Sequence, residues 1–174
     1  MARCDECGYD WEVEPEQLVE QLRVFPARYR TPLTRFLAGE DPDTVVRTRP
    51  APSVWSALEY AAHTREALDF YAGRVERALA EDRPQLTPFD FDAACVDRRY
   101  NAQDVARVVD ELRTSADRLA TRLAPLDGNG WQKPAVTSDG AETTVILLAR
   151  RAVHEGHHHL LDIGRVLRRV RGRA

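Results

Sequence analysis

The sequence predicts an all-α protein, a four-helix bundle with long crossover connections. Three observations lead there. No alternating strand pattern persists for more than a few residues, and apolar residues recur instead at helical spacing in four blocks. The stretches between blocks are long, roughly 13 residues for the first and about 18 to 19 for the other two, against the 2–8 usual between bundle helices. Connections of that size can travel the length of a bundle, so at least one pair of neighbouring helices can run parallel. Finally, 174 residues with 43% hydrophobic content can build one core without a metal or a disulfide to hold it.

The first helix begins near Pro15 and turns Leu18, Leu22, Phe25, Tyr29, Leu33 and Phe36 inward, with Gly39 as its stop and kinks expected at Pro26 and Pro32. The second starts at Pro52-Ser53 and runs to about Glu81. The third opens with Asn101 as N-cap and continues to about Leu123, with Val105, Val108, Leu112, Leu119 and Leu123 at core spacing. The fourth opens at Thr143 or Thr144 and reaches about Val170. Residues 1–13 form a cysteine-containing tail, and residues 14–174 form the bundle.

Charge and composition exclude several classes. The net charge is −3, so the surface as a whole does not suit nucleic acid. No apolar run approaches the roughly 20 residues that span a bilayer. The stretch Met1 to Trp11 lacks a signal peptide's apolar core, which predicts a cytoplasmic protein. Three cysteines make no disulfide framework in a reducing compartment. Lys133 is the sole lysine, an arginine bias that fits a GC-rich bacterial genome.

Four of the five histidines, His154, His157, His158 and His159, fall on one stretch of the fourth helix; the fifth, His63, lies on the second. His154, Glu155 and His158 satisfy the H-E-x-x-H pattern of zinc hydrolases. The third ligand such a protease needs is missing, because Leu161 and Gly164 stand where a glycine and a histidine belong and no acid follows Asp162. A helical wheel offers another register. With Ile163 as the centre, Val145, Leu148, Ala152, Gly156, Val166, Leu167 and Val170 lie within about 60°, and Arg150, Arg151, Arg165, Arg168 and Arg169 lie opposite. His154 and His158 then sit about 140–180° from the core centre, His159 about 40° and Glu155 about 80°. Glu155 and His159, one turn apart, can present an oxygen and a nitrogen to one cation, and His63, at the edge of the stripe Tyr60, Ala67, Leu68, Tyr71, Val75 and Ala78, can supply a third donor. The alternative is that His63 and His159 are hydrogen-bonded bundle-edge residues and the other three histidines are solvated.

Two stretches, Pro52-Ser53-Val54-Trp55-Ser56-Ala57-Leu58-Glu59-Tyr60-Ala61-Ala62-His63 and His154-Glu155-Gly156-His157-His158-His159-Leu160-Leu161-Asp162-Ile163-Gly164-Arg165, resemble the DinB/YfiT-like metal-binding four-helix proteins, and within them the branch of mycothiol-dependent maleylpyruvate isomerase. The segment Leu126-Asp127 to Trp131 and the helix order look similar too, so the likeness runs from about residue 16 to 170. The resemblance implies a divalent metal, zinc, held by a helix-2 histidine and two ligands one turn apart on the last helix. His154 with His158 matches the broad superfamily; Glu155, His159 and Asp162 match the isomerase branch's E-x-x-x-H-x-x-D pattern, with Asp162 as an orienting partner. It also implies metal-assisted transfer or isomerisation with a low-molecular-weight thiol such as mycothiol. The residues run only to Ala174, so the isomerase's additional C-terminal domain is not expected among them, nor is maleylpyruvate isomerisation itself.

Other features are weaker. Cys4-x-x-Cys7-Gly8 reads as half of a zinc site or a redox pair, completed by Cys95 or a histidine only through tertiary contact; it can also fold back so that a cysteine approaches the bundle metal, or be an incidental terminus. The arginines from Arg165 to Arg173 suit a helix C-terminus, and without aromatic neighbours they do not predict nucleic-acid binding. Asp90, Asp92 and Asp97, near Phe89 and Phe91, are candidates for a substrate entrance. The expected function is thus a zinc-dependent, thiol-using transferase or isomerase of small molecules, with a non-catalytic, stress-linked metal-binding protein and a metal-assisted hydrolase as rivals. The expected partners are a small-molecule substrate and, at most, a second copy of the chain.

Overall fold

The computed structural model describes residues 3–172; Met1 and Ala2 of the tail, and Arg173 and Ala174 of the basic end, lie outside the described residues. Four long helices form the body: α1 (Pro15–Thr34), α3 (Ala57–Ala80), α5 (Val105–Leu123) and α7 (Val145–Val170). The connections are structured. The first carries α2 (Pro42–Arg47), the second α4 (Phe91–Asp97) and a 3-10 turn (Tyr100–Ala102), and the third α6 (Gly128–Trp131) with a small antiparallel pair, β1 (Pro134–Val136) and β2 (Glu142–Thr144). Those strands are three residues long, too short for an alternating pattern to register in the sequence.

The long connections follow from the packing order. α3 packs against α5 and α7, α1 packs against the same two, and the pairs α1/α3 and α5/α7 lie across the diagonals. A chain passing from α1 to α3, or from α5 to α7, therefore has to cross an end of the bundle. The adjacent pair α3 and α5 runs parallel: Arg65 meets Glu111 at 2.7 Å, Asp69 meets Arg118 at 2.6 Å and Glu76 meets Arg122 at 3.0 Å, a ladder that ascends both helices together. α1 and α7 also run the same way, since Val13 meets Arg150 before α1 and Glu40 meets Arg171 after it.

The apolar faces foreseen for each helix meet in one core, with Leu18, Leu22, Phe25, Tyr29, Leu58, Leu68, Leu112, Leu119 and Leu123 all fully buried. Several boundaries differ from the sequence reading. α1 runs unbroken through Pro26 and Pro32 and stops at Thr34; Gly39 lies beyond it, in a turn with φ +85°. α3 starts at Ala57 rather than Pro52-Ser53, because Ser56 and Glu59 close a reciprocal capping box. α5 is capped by Asp104, whose carboxylate accepts from the Arg107 N–H; Asn101, expected in that role, accepts from the Ser56 hydroxyl and donates to the Arg47 carbonyl.

Glu59 is buried and ion-paired with Arg49 while accepting from the Ser56 N–H at 2.8 Å. Burial alone would raise its pKa, but Arg49 and Ser56 outweigh that and hold it below the usual glutamate value. A depressed carboxylate contributes stability that is present above the unfolded pKa of about 4.3 and lost as pH falls through the lower folded value. Glu59→Gln is therefore expected to cost about 1–3 kcal/mol at pH 7 in denaturant unfolding, with the difference from wild type shrinking below about pH 4.

Candidate metal centre

Two turns of α7 carry Glu155 and four of the histidines. Gly156 sits between them with its carbonyl accepting from the Tyr29 hydroxyl at 2.8 Å, and that hydroxyl also lies 3.0 Å from Thr64 Oγ1 on α3. Phe25 packs where a Gly156 side chain would stand, 2.3 Å from the ideal Cβ position. The absent side chain lets α1 approach α7 closely and fixes the helix's rotation, which turns Glu155 and His159 toward α3.

There they meet His63. His63 Nε2 lies 3.3 Å and His159 Nε2 3.2 Å from the same oxygen, Glu155 Oε2, and one donor atom from each residue lies within 4.8 Å of the others. The two imidazole rings stand nearly perpendicular, 4.6 Å apart. Asp162 Oδ2 accepts from His159 Nδ1–H at 3.0 Å, so in the neutral ring Nε2 carries a lone pair facing Glu155. A lone pair facing a carboxylate is repulsive unless a proton or a cation lies between them. His63 Nδ1 is buried with no hydrogen-bond partner. Tyr60 stacks on the His159 ring at 5.2 Å, while Trp55 and Phe91 flank His63 at 5.3 and 4.8 Å.

The electrostatics match that arrangement. Burial opposes a charge on Glu155, but His159 and His63 hold its carboxyl far below the ordinary range. Burial lowers the pKa of His63. Burial pulls His159 the same way, yet Asp162 and Glu155 outweigh it and raise that ring. The donor set, two imidazole nitrogens and one carboxylate oxygen with a carboxylate behind one histidine, suits a divalent cation of the zinc type.

Beside the trio opens a cavity of about 770 Å3 lined by Trp55, His63, Pro88, Phe89, Asp90, Phe91, Asp92 and His159. Asp90 also caps α4 by accepting from the Ala93 N–H, which holds that helix over the groove. Asp97 ends α4 and is not among the lining residues. The aromatic wall comes from the second connection and from Trp55, just ahead of the α3 cap; helical periodicity alone carries no sign of it.

The remaining histidines are half-buried rather than fully solvated. His157 packs against Phe25 and Tyr9 and lies 2.8 Å from Gln21 Oε1, and burial pushes its ring down to about 4. His154 and His158 face outward as the wheel predicted, but residues 3–11 cover them. Trp11 packs on His154 at 4.4 Å, and Cys4 Sγ lies 3.8 Å from His158 Nδ1. The tail thus lies on the outer side of α7 and brings Cys4 and Cys7 to His154 and His158. The Cys4 thiol is lowered to about 6, chiefly by backbone donation at Cys7 and by His154, whereas burial raises Cys7. Cys95 is elsewhere, buried 3.9 Å from Glu59.

The family model of the DinB superfamily matches residues 21–163. Among solved structures, the fold resembles YfiT from Bacillus subtilis, described as a probable metal-dependent hydrolase with an unusual four-helix bundle topology: TM-score 0.80 and 18% identity over 92% of this chain and 89% of that one. It also resembles the mycothiol-dependent maleylpyruvate isomerase, with a TM-score of 0.66 and 13% identity over 88% of this chain and 62% of the isomerase. At those identities the likeness is one of fold. No curated protein matches the sequence.

Proposed function

This chain belongs to the DinB superfamily, and from that premise we propose that it is a metal-dependent enzyme of small-molecule chemistry, with one zinc ion held by His63 Nε2, Glu155 and His159 Nε2. One observation carries the reading: both Nε2 atoms stand 3.2–3.3 Å from a single carboxylate oxygen. The edge of a tetrahedron with Zn–N and Zn–O bonds of about 2.0–2.2 Å is about 3.4 Å. Three protein donors leave one position for substrate, the arrangement of catalytic zinc sites.

The reaction we assign is activation of a low-molecular-weight thiol, mycothiol being the candidate, for S-transfer or isomerisation. The isomerase that shares the fold is named for its dependence on mycothiol. When bound, the cation stabilises a coordinated thiol as the nucleophilic thiolate. The chain's own residues do the rest. Asp162 fixes the tautomer of His159, Tyr60 holds that ring flat, and Trp55, Phe89 and Phe91 offer an apolar wall that seats an organic electrophile and excludes water. We place this activity in the cytoplasm, where such thiols are kept reduced; among the described residues no helix is long and apolar enough to cross a membrane.

A second reading is a metal-assisted hydrolase, with Glu155 as a base rather than a ligand; it is favoured by the fold shared with YfiT over nearly the whole of both chains. Assays on the zinc-loaded protein separate the two. Thiol activation predicts consumption of mycothiol by an electrophile at a rate that collapses in His63→Ala. Turnover of an ester or amide without thiol, abolished in a Glu155→Gln protein that keeps its zinc, supports the hydrolase instead. A rate equal to the uncatalysed one across a broad panel of both kinds leaves only a non-catalytic metal-binding protein.

Asp162→Ala provides a finer check on the site. Loss of an outer carboxylate that orients a ligating histidine is expected to weaken zinc binding roughly 10–100-fold in competition titrations, with the helical content of the fold unchanged.

A further inference from the structure

A second group of metal-ligand types lies on the other side of the same helix and shares no residue with the first. We propose that Cys4, Cys7, His154 and His158 bind one zinc ion as a closed, four-ligand structural site that fastens the N-terminal segment to the outer face of α7. One ligand atom from each of the four lies within 4.8 Å of the others. The pattern is C-x-x-C with H-x-x-x-H, both spacings typical of structural zinc sites. The helical pair is one turn apart, so both rings project from one face.

The cysteine loop already has the shape such a site needs. Gly8 N–H donates to the Cys4 carbonyl at 2.9 Å, Cys4 N–H donates to the Tyr9 carbonyl at 2.8 Å, and Gly8 takes φ +70°, which turns the chain back after Cys7. Arg3 and Asp10 bridge the ends of the loop. The separation of 3.8 Å between Cys4 Sγ and His158 Nδ1 is close to the roughly 3.6 Å edge expected for Zn–S near 2.3 Å and Zn–N near 2.0–2.1 Å. His154 Nε2 is buried without a hydrogen-bond partner. Tyr9 and Trp11 pack on the His154 ring, and Glu6 reaches Arg165 at 3.0 Å, so the segment is seated by contacts on both sides of the four ligands.

Four protein ligands leave no open position, which makes this a staple rather than a reaction centre. The bundle has a core of its own, so the ion fixes residues 3–13 on the bundle that follows them. Positions 154 and 158 alternate with 155 and 159 along the same turns, so one six-residue stretch serves a metal on each side of the helix.

Cobalt(II) substitution of the full-length protein tests this on the wild type. Stripped of zinc and titrated with cobalt, it should develop a thiolate-to-cobalt charge-transfer band in the near ultraviolet and intense tetrahedral bands in the visible, the former saturating at one equivalent in His63→Ala, where the bundle site is removed. That band should persist in His63→Ala, disappear in Cys4→Ser and Cys7→Ser, and weaken in His154→Ala and His158→Ala. As-purified zinc should fall by one ion per chain in Cys4→Ser, a variant that keeps the bundle intact by circular dichroism. A wild-type protein that takes up cobalt with no charge-transfer band overturns the proposal, as does one whose Cys4 and Cys7 cycle between dithiol and disulfide and bind no metal when reduced.

Discussion

His63→Ala is expected to empty the bundle site and to reduce thiol-dependent turnover to the uncatalysed rate. His63 is the only donor of the trio that α7 does not supply, and it is buried between Trp55, Phe91 and His159. Without it Glu155 and His159 remain as a two-donor face on one helix, too few to retain a zinc ion against dilution. The loss should exceed the roughly 10–100-fold expected for the outer partner Asp162. The variant also opens a small cavity next to aromatic rings, at a cost of about 1–3 kcal/mol that a bundle of this size tolerates. Equilibrium dialysis beside a thermal melt separates the two effects: affinity at the bundle site should collapse, leaving the ion at Cys4, Cys7, His154 and His158 in place, while the cooperative transition persists. Unchanged zinc affinity at the bundle site in the folded variant would remove His63 from the account.

Gly156→Ala is the second large effect, and it acts through packing. An added Cβ would meet Phe25 Cε2 at 2.3 Å and Cζ at 2.4 Å, and Phe25 is fully buried, so its ring can move only by displacing the core around it. Alanine favours a helix interior over glycine by about 1 kcal/mol, but forcing a methyl group into a filled core costs about 1–3 kcal/mol and shifts the helices apart. The clash is expected to win, lowering Tm by a few degrees and disturbing the Tyr29 hydrogen bond to the Gly156 carbonyl. Phe25→Leu in the same chain should recover part of the loss, so a double-mutant cycle should show coupling between the two positions. A raised Tm in the single variant would contradict the close approach of α1 and α7.

What the sequence made legible, and what it hid, follows from the range of the interactions. The rotation of α7 was readable because its arginines mark one face and its aliphatic residues the other, and that marking turns Glu155 and His159 inward. The sequence left open whether the cysteine pair meets a histidine, Cys95 or the bundle metal; that it meets His154 and His158 was not readable, because the path of residues 3–11 depends on tertiary contacts of Tyr9, Trp11 and the cysteines with a helix more than 130 residues away. Asn101 looked like a helix cap by residue type, yet Asp104 caps α5 while Asn101 ties Ser56 to Arg47 across the fold. The capping box of Ser56 and Glu59 was written in the sequence as S-x-x-E, in competition with Pro52, four residues before the cap. The aromatic wall of Trp55, Phe89 and Phe91 comes from connections, where no periodicity speaks for orientation.

The most direct measurement of the central claim is an anomalous difference map from crystals of the zinc-loaded protein, recorded at the zinc edge. A zinc ion held by the trio gives a peak about 2.0–2.2 Å from His63 Nε2, His159 Nε2 and an oxygen of Glu155. A map from metal-saturated crystals with those three side chains ordered and no peak between them, whatever density lies at Cys4 and His158, would contradict it.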